Sequence, residues 1–171
     1  MDGVVNLIHR DREFEPCKAA DMSWKDWEPH VEAMQAHFHI CKAVIPYMRR
    51  QQYGRIVYLS GGLSCRFFEG CAPFSAVKAG MNAFSKTVAL EEGKFNITVN
   101  TVAPGKIATS GQNLGGEWGE LEKRQMDSNP LKRFASLEDV AYAIMVFLIP
   151  ENGYLTGQTV FAAGGEIMPM P

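Results

Sequence analysis

Four groups of residues carry functional chemistry or come close to a known pattern. Ser75-Ala-Val-Lys78 spaces a hydroxyl and an amine three residues apart. This is the S-x-x-K pattern of some acyl-transfer enzymes, in which a lysine helps activate a serine. No other part of that machinery is present in the sequence. His30 and His37 are seven residues apart and share a helical face, with His39 nearby, so a metal or pH role is one reading. The simpler reading is solvated or interface histidines. Cys17, Cys41, Cys65 and Cys71 form no CxxC pair and have no histidine at ligand spacing. They read as reduced thiols with no metal. Gly111, Gly115 and Glu117 approach a G-x-x-x-G-x-G phosphate loop, but the third glycine is Glu117 and no strand precedes them.

The elements that must position these residues follow from periodicity. Gly3–Ile8 is a short apolar run, predicted as a buried strand. Residues 9–22 are polar and contain Pro16, which predicts a loop. Ser23 is placed to cap a helix carrying Val31, Met34, Phe38, Cys41, Ile45 and Met48, steps of three and four that mark one buried stripe. Pro46 is expected to bend its last turn. Gly54 breaks the pattern, and Arg55–Ser60 reads as a buried parallel strand. A second helix runs from Phe74 to Glu92 and is expected to end at Gly93. One of its faces holds Phe74, Val77, Lys78, Met81 and Ser85. The other holds the small residues Ala76, Gly80, Ala83 and Thr87, which suit close helix packing. Ile97–Val102 is a strand stopped by Pro104-Gly105. Residues 106–130 are glycine-rich and read as loop. Ser136–Asp139 has the capping-box pattern and opens a helix through Leu148. Gln158–Ala162 is a last strand. Strands alternating with helices predict an α/β fold with a parallel sheet covered on both faces, in one domain over residues 1–171.

Bulk composition narrows the partners. The chain has 171 residues, 17 basic and 19 acidic, for a net charge of −2. No basic stripe is visible, so nucleic acid is not an expected partner. No apolar run reaches the length of a membrane span. The start carries no signal-peptide pattern, and a cytoplasmic protein is expected.

Four segments, in order, resemble the short-chain dehydrogenase/reductase family. They are Gly54–Ser60, Phe74-Ser-Ala-Val-Lys78-Ala-Gly80, Asn96–Gly105 followed by Thr109, and Tyr154–Val160 with Gly164-Gly165. The resemblance implies a Rossmann-like three-layer αβα fold. Asp2–Asn6 resembles the family's fourth strand, so the first three strands and the glycine-rich cofactor turn are expected to be missing.

The resemblance also implies a site, and this sequence departs from it. The family's tyrosine, four residues before the lysine, is the general acid/base. Here that position is Phe74, with Lys78 retained. The family's serine, thirteen residues before the tyrosine, polarises the substrate carbonyl; here it is Gly61. Ser60 and Ser64 are the nearby hydroxyls. The asparagine of the proton relay has no counterpart in Glu32–Gln35. Truncation alone would leave the serine and tyrosine unchanged. No catalytic residue is therefore expected, and Lys78 is vestigial. No cofactor is expected on this chain; Asn100, Pro104, Gly105 and Thr109 are inherited positions.

The expected function is a non-catalytic subunit. It would assemble with, and stabilise, an active NAD-dependent paralogue that holds the NAD in an alcohol or hydroxyacyl dehydrogenase complex. A heterotetramer is expected, built on the family's helix-bundle interface, here Ala76, Gly80, Ala83 and Thr87. The alternatives are a small-ligand-binding or regulatory protein, with a cleft around Phe74, Leu114 and Trp118, and an atypical oxidoreductase whose site a partner completes.

Overall fold

A computed structural model of the chain describes residues 1–8, 15–108 and 119–168. Its elements are β1 (Gly3–Asn6), α1 (Trp24–Gln51), β2 (Gly54–Leu59), α2 (Ala72–Glu92), β3 (Ile97–Pro104), α3 (Glu120–Ser128), α4 (Leu137–Val146) and β4 (Thr159–Ala162). The four strands form one parallel sheet in the order β1-β2-β3-β4. The predicted α/β architecture is present. α1 and α2 cover one face of the sheet and α4 the other.

The alternation of β2 explains the layering, because successive side chains point to opposite faces. Ile56 and Tyr58 pack with Cys41, Val44, Ile45 and Met48 of α1, Val88 and Ala89 of α2, and Ile97 and Val99 of β3. Val57 points the other way and joins Val102, Val140, Ile144 and Phe147 under α4. Gly54 permits the close approach of α1, since a Cβ there would lie 2.4 Å from the Met48 sulfur. Met48 is fully buried, and truncating such a side chain to alanine costs about 2–5 kcal/mol.

Several expectations are corrected. The buried stripe of α1 is His37, Cys41, Val44, Ile45 and Met48. Met34 and Phe38 are exposed instead. The stripe that faces the sheet admits a histidine, and two large apolar residues lie off it. α1 continues through Pro29 and Pro46 to Gln51. Ser23 sits at its N-cap, but its hydroxyl bonds the Asp26 carboxylate at 2.6 Å rather than a backbone amide. α2 ends at Glu92 with Gly93 as its C-cap, as expected, but Gly93 keeps a right-handed φ of −55°. A 3₁₀ turn (Gly93–Phe95) follows, and Asn96 takes the positive φ of 58°, which asparagine tolerates well.

α3 lies inside the stretch read as loop. Its sequence is mostly charged and polar, with Leu121 and Met126 as its large apolar residues, so no apolar stripe announces it. The capping box of α4 is formed as predicted: Ser136 Oγ accepts from the Asp139 amide, and Asp139 Oδ2 accepts from the Ser136 amide. Among the described residues, no strand pairs with the outer edge of β1. Cys17 and Lys18 instead meet Gly70 and Glu69, at the far end of the β2–α2 connection.

Candidate functional site

The carboxyl ends of β2 and β3, the first turns of α2 and the segment after β4 enclose a cavity of about 440 Å³. In open parallel α/β sheets this is the usual place for a ligand. Leu59, Ser60 and Gly61 come from the end of β2, Phe74 and Lys78 from α2, and Pro104 and Gly105 from the end of β3. Leu63, Phe68, Ile107 and Ile167 make much of the remaining wall apolar. Thr109, Leu114, Trp118, Gly111, Gly115 and Glu117 lie outside the described residues.

Lys78 is the centre of the site. Its side chain is buried, 7% exposed, yet it lines the cavity. Nζ reaches the Leu59 carbonyl at 3.5 Å, the outer limit of a hydrogen bond, and stands 5.7 Å from the centre of the Phe74 ring. Phe74 therefore occupies the tyrosine position beside the lysine with an aromatic face and no hydroxyl. Burial lowers the Lys78 pKa to about 8, because a cation is disfavoured away from water. Gly61 is extended, with φ −174°. A Cβ placed on it would lie 3.8 Å from Lys78 Cε, so a side chain there would rest on the lysine stem.

Of the nearby hydroxyl-bearing residues, Ser60 lines the cavity. Ser60 is buried, and its Oγ donates to the Lys78 backbone carbonyl at 3.2 Å. Ser64 Oγ is buried without a partner in a 3₁₀ turn (Gly62–Ser64) and is not among the cavity-lining residues. Ser75 is also buried away from the cavity, so the S-x-x-K pair does not converge on it.

The histidines are dispersed. His30 meets the Phe74 ring edge-on at 5.7 Å, and His39 is exposed and packs against Phe38. His37, expected to be solvated or at an interface, is instead sealed in the core. Its ring lies 4.4 Å from the Tyr58 ring, and neither ring nitrogen has a partner. Burial, with a contribution from the Lys78 charge, lowers its pKa to about 4. Tyr58 OH and Cys41 Sγ hydrogen-bond to each other, and burial raises both pKa values. The four cysteines are free thiols.

Asn100 performs a structural task. Its Nδ2 donates to the Leu155 carbonyl at 2.8 Å, and its Oδ1 accepts from the Gln158 amide at 3.0 Å. Both bonds hold the segment before β4 onto β3. Gly105 lets Ala163 approach, since a Cβ would lie 3.2 Å from that residue.

The wall also includes residues that the sequence did not single out. Arg66 pairs with Glu166, and Gln125 reaches Glu166 at 3.4 Å. Lys106 pairs with Glu122 at 3.3 Å. Arg66 and Glu166 are one hundred residues apart, so no local pattern could have joined them.

A buried lysine on α2, one turn after an aromatic ring and beside the carboxyl ends of parallel strands, fits the arrangement that the resemblance implies. The family model described as enoyl-(acyl carrier protein) reductase matches residues 1–166. The chain belongs to the short-chain dehydrogenase/reductase family. It is 34% identical over 149 residues to a 3-oxoacyl-[acyl-carrier-protein] reductase of Buchnera aphidicola, covering 86% of this chain and 60% of that protein. It is 31% identical over 174 residues to the short-chain reductase protein NovJ of Streptomyces niveus, covering 97% of this chain and 64% of that protein. In fold it matches the crystal structure of YwfH, an NADPH-dependent reductase involved in bacilysin biosynthesis, with a TM-score of 0.86 and 24% identity. That match covers 99% of this chain and 68% of that one. The chain thus spans about 60% of the length of curated relatives such as the Buchnera protein. Among the described residues, no helix is long and apolar enough to cross a membrane.

Proposed function

We propose that this chain is a non-catalytic member of its family. It assembles with, and stabilises, a complete NAD-dependent paralogue that carries the cofactor and the chemistry. The observation that carries this reading is Phe74 beside Lys78, where the family's general acid/base belongs. Loss of general acid–base catalysis costs roughly 10²- to 10⁴-fold in rate. Loss of one donor to the developing oxyanion, the task of a serine at position 61, costs roughly 10²- to 10³-fold. Such groups act as a unit, so the two losses need not multiply.

The proposed contact surface is the outer face of α2. Ala76, Ala83 and Thr87 are exposed there, and Gly80 is half-buried against Met34 of α1. Leu90 continues the face and is 87% exposed. Small residues flanked by a large apolar one suit a closely approaching helix. A heterotetramer in the cytoplasm is part of the same proposal.

The test is native mass spectrometry of the chain co-expressed with full-length family members from its own genome, with NAD(H) titrated in. The expected result is a stoichiometric complex holding one cofactor per full-length chain. The acyl-carrier-protein reductases among the relatives provide the first reaction to assay in that complex. A chain that binds no such partner, or that takes up NAD(H) and reduces a 3-oxoacyl thioester alone, would overturn the reading.

A second reading rests on the cavity itself. A space of about 440 Å³ with a largely apolar wall is within the size range of small-molecule sites. It supports a ligand-binding role for the old substrate cleft, alone or within the complex.

A further inference from the structure

Removing the tyrosine hydroxyl does more than delete an acid. It leaves the Lys78 amine lining a largely apolar cavity beside a phenyl ring that offers it no hydroxyl. Among the described residues, its one hydrogen bond is the 3.5 Å contact to the Leu59 carbonyl. No carboxylate pairs with it there: Glu166, the carboxylate in the wall, is held by Arg66, and Glu122 by Lys106. Amines with these surroundings are nucleophiles, as in lysines that form Schiff bases after desolvation.

We propose that Lys78 Nζ condenses reversibly with neutral, apolar aldehydes or ketones that enter this cavity, holding them as an imine. The nitrogen lone pair attacks the carbonyl carbon, a C–N bond forms, and the carbonyl oxygen takes up a proton to give a carbinolamine. The nitrogen then expels that oxygen as water and forms C=N, so amine plus carbonyl gives imine plus one water. No oxidant or reductant is consumed.

The wall selects the carbonyl. Leu59, Leu63, Phe68, Phe74, Ile107 and Ile167 favour an alkyl or aryl chain. The other cations in the wall, Arg66 and Lys106, are already paired with Glu166 and Glu122. No spare positive charge is left among the described residues to attract a carboxylate, which argues for neutral carbonyls over keto acids. Among the described residues, the charged or titratable groups facing the amine are few. His37 of α1 interacts with its charge and is itself held neutral by burial. Cys71, Arg66, Lys106 and Glu166 line the same cavity, and burial raises the Cys71 thiol pKa. The lowered Lys78 pKa supports the geometry. With half of Lys78 deprotonated near pH 8, it offers roughly a hundredfold more free amine than an ordinary exposed lysine.

This inference rests on the vacated tyrosine position and not on assembly with a paralogue, so it is tested on the full chain by itself. The chain is incubated with hexanal and cyanoborohydride, and the reduced adducts are located by peptide mass spectrometry. The exposed Lys25, Lys42 and Lys86 serve as internal references. The expected result is about tenfold or greater preference for Lys78 at low dose. Labelling should fall as pH drops below 8, and the preference should be lost with glyoxylate in place of hexanal. Lys78→Arg should abolish the preferred adduct. Ile167→Trp, which fills the cavity and keeps the lysine, should suppress it even if the arginine variant folds poorly. Labelling of Lys78 no faster than the exposed lysines, equal preference for glyoxylate, or undiminished labelling in Ile167→Trp would each overturn the proposal.

Discussion

The Cβ that Gly61 lacks would lie 3.8 Å from Cε of Lys78, at ordinary van der Waals distance. Position 61 thus has room for a side chain beside the lysine stem. Gly61→Ser needs no unusual backbone, because its φ of −174° is extended, and Phe74→Tyr adds only a hydroxyl to a ring already in place. The double variant should fold with stability within about 1 kcal/mol of the parent. Its new phenol and Lys78, whose amine titrates near 8, should titrate as a coupled pair, because each charged form favours the other. Tyrosinate absorbance measured across pH checks this, with the Gly61→Ser single variant as the blank. A phenol titration that Lys78→Met leaves unchanged would mean that position 74 does not face the lysine.

His37 makes acid stability predictable. Its pKa falls from 6.5 in the unfolded chain to about 4 in the folded one. Between those values the unfolded chain binds a proton that the folded chain excludes. Stability is therefore complete above pH 6.5 and declines as pH falls towards 4, by roughly 3 kcal/mol from this group alone. Urea denaturation at a series of pH values reads the slope. His37→Leu, which keeps an apolar ring-sized filler against Tyr58, should flatten it.

Asn100 should behave as a fastener. Asn100→Ala leaves the Leu155 carbonyl and the Gln158 amide without their side-chain partners. Both bonds are part-buried and Leu155 and Gln158 are exposed, so water replaces part of what is lost; at about 0.5–1.5 kcal/mol per bond, a loss of about 1–3 kcal/mol is expected. Hydrogen exchange should speed up first at residues 155–158. Global destabilisation without that local signature would assign Asn100 a different task.

Arg49 and Glu92 clasp the C-terminal ends of α1 and α2. Arg49 Nε donates to Glu92 Oε2 at 2.7 Å, and Nη2 bonds Oε1. Glu92 is buried, so removing Arg49 strands a carboxylate away from water. Arg49→Ala should lower the melting temperature more than Arg49→Ala combined with Glu92→Gln. A melting curve for each variant decides it; equal losses would mean that the pair is idle.

The proposed contact surface on α2 is tested by Ala83→Arg. Ala83 is exposed, so the substitution should leave the isolated chain's melting temperature unchanged within a degree or two. Association with the full-length paralogue should weaken by about tenfold or more, since a long charged side chain holds a facing helix away. Sedimentation or native mass spectrometry provides the readout. Undiminished association would move the interface elsewhere.

The sequence carried the strand–helix alternation, the capping box at Ser136 and the pairing of Phe74 with Lys78 because each is a local pattern. It did not carry α3, since Glu120–Ser128 shows no apolar face and is held partly by the pairing of Glu122 with Lys106. It also misassigned α1. Met34 and Phe38 fit the period but face outward, while His37 breaks the hydrophobic pattern and faces inward. Periodicity reports which residues could be buried together, and the sheet decides which of them are. The cavity wall was the least legible part. Arg66, Glu166 and Ile167 reach it from loops that no spacing rule connects.

The strand order has a consequence for how the chain comes off the ribosome. Residue 3 pairs with 55, residue 54 with 97, and residue 101 with 159. Each strand thus docks against the one synthesised just before it. No later strand has to be inserted between two that are already joined. Among the described residues, β2, β3 and β4 each pair with the strand that precedes them in the chain, so each finds its partner already made when it emerges.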